Sequence, residues 1–211
     1  VQTGTLSFGG AMTNGGTVNV SAGAIVNLNG ARVQGGTASG VAGMLTLSGN
    51  VSGTISGTGL VSESLSGNCT ITGHVTLTGG LSGSVTVAAG GTLVIDGNPG
   101  GNGHELRGTL TNYGTVVWKD GYITGWLFGS NQPSAIINQS GAIFDVQADG
   151  VSMYITQADS LSFSNAGTLR RTIGTGQATI SCTLTSTSTG TVQVQTGTLS
   201  FGGAMTNGGT V

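Results

Sequence analysis

Residues 1–18, VQTGTLSFGGAMTNGGTV, recur letter for letter as residues 194–211. Eighteen identical residues in a row do not arise by chance, so the chain reads as one 193-residue period, 1–193, followed by the opening of the next, 194–211. A repeat of this kind separates an array from a closed domain and ranks ahead of any local assignment. The expectation is a section of fibre whose last turn has the shape of its first. Val211 falls inside a pattern that on its first pass runs on as Asn19-Val20-Ser21-Ala22-Gly23, with no charged or helical closing segment on either side.

Inside the repeat lies Gly4-Thr5-Leu6-Ser7-Phe8, a phrase that returns as Gly16-Thr17-Val18-Asn19-Val20, Gly91-Thr92-Leu93-Val94-Ile95, Gly114-Thr115-Val116-Val117-Trp118 and Gly190-Thr191-Val192-Gln193-Val194. Alternation of period two puts Leu6 and Phe8, or Val18 and Val20, on one face of a strand. β-Branched residues dominate and helix formers are scarce, so every segment reads as strand or turn. Asn14-Gly15-Gly16-Thr17, Asn112-Tyr113-Gly114-Thr115 and Asn165-Ala166-Gly167-Thr168 precede strands, and their Asn and Gly suit sharp corners.

A second family comprises Leu47-Ser48-Gly49-Asn50-Val51, Leu65-Ser66-Gly67-Asn68-Cys69 and Leu81-Ser82-Gly83-Ser84-Val85, spaced by 18 and 16 residues. Phrases starting at Gly91, Gly114, Gly141, Gly167 and Gly190 are spaced by 23, 27, 26 and 23, the excess being assigned to loops. A sandwich of hairpins also gives short alternating strands, but phrases recurring at one-coil intervals favour parallel stacking of equivalent strands, an all-β, parallel β-solenoid. At ~20 residues per coil and ~4.8 Å between strands, one period holds about 9–10 coils and advances about 45 Å.

Only 12 of 211 residues are Asp, Glu, Lys or Arg, and 42 are Gly. Stacking accounts for the scarcity of charge, because a repeated charge would meet its like at strand spacing. The net charge of −2, with basic residues scattered at Arg32, Arg107, Lys119, Arg170 and Arg171, offers no basic stripe for nucleic acid. Apolar runs such as Trp126-Leu127-Phe128 are far too short to insert in a membrane, and nothing reads as a signal peptide, so any targeting signal is expected outside the segment.

The Asn-x-Gly-Thr-apolar-x-apolar phrases, the Gly/Ser/Thr/Asn background and the long period together resemble bacterial surface proteins built from β-strand repeats, such as autotransporter passengers and giant secreted adhesins. That resemblance covers essentially the whole chain. It implies a right-handed β-helix, export to the cell surface, and a role in adhesion, spacing or filament formation. It carries no catalytic residue to transfer.

Candidate chemistry is sparse. Cys69 and Cys182 lie 113 residues apart, about five or six coils, beyond the ~4–7 Å Cα reach of a disulfide. Both share parity with apolar neighbours and read as buried, with a cross-link between fibres as the minority alternative. His74 and His104 have no metal-ligand spacing, and Asp96, Asn98 and Glu105 around the Gly-rich loop 96–103 are too few carboxylates for a calcium loop, so no metal or cofactor is expected. Asp145, Asp149 and Asp159 are the candidates for the acidic cluster of a polysaccharide-degrading β-helix enzyme. Asp145 has outward parity, Asp149 reads as a turn residue, and Arg170 and Arg171 lie a coil away, which argues against catalysis.

The densest aromatic region runs from Tyr113 to Phe128. Its Trp118, Tyr122 and Trp126 are the candidate glycan contacts, but aromatics bury large apolar area wherever they can, so the favoured reading is that they fill a widened coil or groove. Thr70, Thr72, Thr76 and Thr78 resemble the Thr rows of ice-binding solenoids but at irregular spacing, so they read as ordinary exposed strand residues. The expected function is structural: a repeat unit of an extracellular or cell-surface filament or stalk. Further copies of the chain dock head to tail through Leu6, Phe8, Val18, Val194, Leu199, Phe201 and Val211. A glycan- or host-binding adhesin is the alternative, and a polysaccharide-degrading enzyme a lesser one.

Overall fold

The computed structural model describes residues 4–7, 12–13, 17–20, 24–28, 33–40, 44–57, 60–97, 103–125, 133–155 and 160–211, with side chains at 4–7, 54–56 and, within those ranges, from 64 onward. Among them are 23 strands and no helix. All strand pairs are parallel and belong to one hydrogen-bonded network. The strands are β1 (Gly4–Ser7), β2 (Met12–Thr13), β3 (Thr17–Val20), β4 (Ala24–Leu28), β5 (Val33–Gly40), β6 (Met44–Gly57), β7 (Leu60–Ile71), β8 (His74–Leu77), β9 (Leu81–Val87), β10 (Thr92–Ile95), β11 (His104–Asn112) and β12 (Thr115–Trp118). They continue as β13 (Ile123–Gly125), β14 (Ser134–Asn138), β15 (Ile143–Val146), β16 (Val151–Ile155), β17 (Leu161–Asn165), β18 (Thr168–Arg171), β19 (Gln177–Ile180), β20 (Thr183–Ser186), β21 (Thr191–Val194), β22 (Thr198–Phe201) and β23 (Met205–Asn207).

From β12 onward each strand pairs with the third strand after it, giving the series β12–β15–β18–β21, β13–β16–β19–β22 and β14–β17–β20–β23. Longer strands earlier in the chain combine two places of the same cycle: β11 meets β13 through His104–Leu106 and β14 through Thr109–Asn112. The residues alternate as period two demands. In β11 every second side chain from His104 to Asn112 is buried, and β14 and β17 repeat the pattern.

One register column runs the length of the stack: Leu6, Val26, Leu45, Leu60, Val75, Leu93, Val116, Phe144, Leu169 and Val192. From Val75 onward its members are at most 2% exposed. Burying a side chain of this kind stabilises by about 1.5–3 kcal/mol, and the register places these six, Val75 to Val192, one against the next. Nine steps cover 186 residues, about 20.7 per step, while single steps range from 15 (Leu45 to Leu60) to 28 (Val116 to Phe144). The length differences fall in the connections, so the strands remain in step. On the opposite parity Thr54, Thr70, Thr86 and Thr111 form a hydroxyl column, interrupted at Ile137 and resumed by Ser164 and Thr185. Threonines unevenly spaced in sequence are therefore evenly stacked.

Two sequence registers need correction. Leu47 does not stack on Leu65; Gly49 does, because the β6–β7 pairing shifts after Leu47. The family of Leu65 and Leu81 continues instead through Leu106, with Gly67, Gly83 and Gly108 aligned beside them. All three glycines have positive φ, and a Cβ on Gly83 would lie 2.5 Å from the Gly67 carbonyl oxygen. Only glycine fits where three backbones approach in that conformation. The phrase at Gly141 is also displaced by one: Ile143 aligns with Thr115, which makes Ala142 the counterpart of Gly114.

The two copies of the repeated segment agree at several positions described in both. Thr5–Ser7 and Thr198–Ser200 are both in strands, Met12 and Met205 both begin one, and Gly4 and Gly197 both have positive φ. Their places in the cycle nevertheless differ. β1 lies in the series that leads to β21, whereas β22 stacks on β19 and β16 in the next series. The place of the strand in the series differs because 193 residues span nine steps plus one strand.

Candidate functional site

Charge concentrates where β15 meets β18. Asp145 and Arg170 are register partners, and Asp145 is 2% exposed despite its outward parity. Its Oδ2 accepts a hydrogen bond from Arg170 Nε (3.0 Å) and forms an ion pair with Nη2 (2.9 Å), while Thr172 donates to Oδ1 at 2.9 Å. The outward reading is corrected for a plain reason: parity sets the direction of the side chain, and Arg170 and Thr172 then cover it. A residue one coil away in sequence is an immediate neighbour in a parallel ladder.

Arg171 points the other way and is fully buried. It donates to the Ala148 carbonyl at 2.7 Å and the Gly176 carbonyl at 3.2 Å, and it pairs with Asp149. The Gly176 amide, with Arg171 and the Thr175 amide, holds the Asp149 carboxyl below its ordinary range. Both of these candidate catalytic carboxylates are thus taken up by arginines; Asp159 lies outside the described residues.

Asparagine carries a second network. Asn112, Asn138 and Asn165 are fully buried register partners. Asn112 Nδ2 donates to Asn138 Oδ1 and Asn138 Nδ2 to Asn165 Oδ1, each at 2.8 Å. Each also donates to a carbonyl of the following turn: Asn112 to Ile143 (2.8 Å), Asn138 to Thr168 (3.3 Å) and Asn165 to Thr191 (3.2 Å). Sequence reasoning treats the corner Asn as a conformational choice and misses the side chain's part. The signal lies in the intervals of 26 and 27 residues between the three.

Of the glycan candidates, Trp118 is fully buried and donates from Nε1 to the Gly121 carbonyl at 2.8 Å. It has no face to offer a sugar, which corrects that reading. Tyr122 is half-buried and packs edge-on against Tyr154, ring centroids 5.9 Å apart. Trp126 lies outside the described residues. His104 is buried, with Nδ1 2.8 Å from the Gly79 carbonyl and Nε2 2.8 Å from that of Gly97, and it ties a turn to its neighbours. Asp96 accepts from the Gly97 amide and Glu105 pairs with Arg107, so the two do not converge on a cation; Asn98 lies outside the described residues. No cluster of three metal-ligating side chains occurs among the described residues, and no described helix is long and apolar enough to cross a membrane.

Cys69 and Cys182 are buried and free. Burial pushes the Cys69 thiol up to about 12 and that of Cys182 to about 11. Cys69 aligns with Val85, and Cys182 Sγ lies 3.7 Å from Met153 Sδ.

The expected docking residues fall at the two open edges. Among the described residues β1 pairs with β4 alone, β22 with β19 alone and β23 with β20 alone. Leu6 is exposed, Leu199 is buried on Ala178, Phe201 is partly buried on Ile180, and Val194 and Val211 are exposed. Val18 aligns with Ala38 on one side, and Phe8 lies outside the described residues. Comparison with protein-family models, curated proteins and solved structures returns no match.

Proposed function

We propose that the chain is a section of a right-handed parallel β-helix serving as a structural repeat of an extracellular or cell-surface filament or stalk. The single observation that carries this reading is the register column from Leu6 to Val192, in which parallel strands recur every ~20 residues and whose side chains are buried from Val75 onward. A stack of this kind satisfies backbone donors and acceptors between turns and leaves unpaired groups only at its ends. The same eighteen-residue sequence recurs 193 residues further on, and repetition of one head-to-tail contact between such copies gives an open assembly rather than a closed one. The work of such a molecule is mechanical: buried columns and ladders resist bending and extension.

The internal use of Asp145, Asp149, Arg170 and Arg171 supports a structural role for the only concentrated charge among the described residues. Adhesion is the second reading, and the half-exposed Tyr122 and Tyr154 pair is the feature that favours it. Intact mass of the native material under denaturing conditions, with electron microscopy of the same sample, tests the proposal. Rods built from a chain of many periods, or from stacked ~20 kDa copies, are the expected result; compact particles of one copy would refute it.

A further inference from the structure

Among the described residues β22 and β23 pair on one side, with β19 and β20, and their sequence is that of β1 and β2. In the first copy the other side is taken by β4 and β5: Leu6 aligns with Val26 and Met12 with Val33. Identical strands leaving identical corners, Gly4 and Gly197 both at positive φ, present the same donors, acceptors and side chains to whatever comes next. We propose that the β22–β23 edge receives the β4–β5 sequence of a following period, Val26 on Leu199 and Val33 on Met205, and that each period is thereby turned by one strand of three relative to the one before. The inference rests on the filament reading and adds a definite geometry to it.

The turn follows from the register. Nine steps lead from Leu6 to Val192, in β21. The counterpart of Leu6 is Leu199, which lies in the next strand, β22. One period is therefore nine windings and a third, and at ~4.8 Å per winding it advances about 45 Å with a rotation of about 120°. Three periods, about 28 windings, restore the starting face after about 134 Å. Any feature that occurs once per period, such as the exposed Lys119, follows a helical path and is offered on all sides of the rod.

Site-specific labelling of the native tandem chain reads this directly. Lys119→Cys in every period accepts a maleimide–gold label, while Cys69 and Cys182 are buried and stay unlabelled. Cryo-electron tomography is expected to show particles about 45 Å apart along the rod, stepping by about 120°, with the fourth in line with the first. Particles about 45 Å apart on one side would overturn the rotation and leave the filament reading standing. No constant spacing, or no rods, would overturn both. If the variant does not fold, helical symmetry measured on unlabelled rods distinguishes the same outcomes.

Discussion

Asp145 and Arg170, 25 residues apart in sequence, are direct neighbours across two parallel strands, joined by a hydrogen bond and an ion pair to one carboxylate oxygen. Breaking a fully buried pair costs about 3–5 kcal/mol. Arg170 keeps a third of its side chain exposed, so Asp145→Ala is expected to cost less, about 2–3 kcal/mol in denaturant unfolding. A loss within error of zero would show that the pair is not part of the fold's support.

Asn138 donates to Asn165 and accepts from Asn112 in a buried row. Asn138→Ala orphans groups on both sides, at roughly 1–3 kcal/mol per group. Amide exchange is expected to accelerate at β14 and in the turns entering Ile143 and Thr168. Unchanged protection there would contradict the ladder.

Gly83 stands between Gly67 and Gly108 at φ +85°. Gly83→Ala forces a left-handed alanine, about 1–2 kcal/mol, and drives its Cβ against the Gly67 carbonyl. Thermal unfolding is expected to lose more than that figure, whereas Gly90→Ala, whose Cβ meets nothing within 4 Å, loses only the conformational part.

Burial raises the Cys69 thiol from 9.0 to about 12 and the Cys182 thiol from 9.0 to about 11. A folded value above the unfolded one gives stability that is complete below about pH 9 and is lost as pH climbs toward the folded values. The decline is roughly 1.4 kcal/mol per pH unit for each thiol. The Cys69→Val, Cys182→Ala double variant is expected to flatten the stability profile between about pH 9 and 11, and an unchanged slope would assign the alkaline loss elsewhere.

Trp118 fills the column between Ile95 and Val146. Trp118→Ala is expected to cost about 3–5 kcal/mol while leaving any glycan-array signal of the folded protein unaltered. Tyr122→Ala reverses the pattern if the surface is adhesive: little change in stability, and a lost signal.

Much of the fold is legible in the sequence because period-two alternation and recurring phrases report strand and stack directly. Leu65 on Leu81 and Thr92 on Thr115 follow from the phrases alone. Register fails where turn lengths change, since a shift such as that after Leu47 leaves no mark in composition. The Asp145–Arg170 pair and the asparagine row escape sequence reasoning for a common cause. Paired strands here are separated by two others in sequence, so these contacts span 25 to 27 residues, an interval that varies with loop length and is legible only once the pairing is known. Trp118 and Trp126 look alike in the sequence, and only the column decides that Trp118 is interior.

A density map of the native rods at side-chain detail tests the central claim most directly. The account predicts parallel strands wound about one axis, with Val75, Leu93, Val116, Phe144, Leu169 and Val192 in a single interior file at strand spacing. Antiparallel hairpins, or those six residues dispersed among separate sheets, would contradict it.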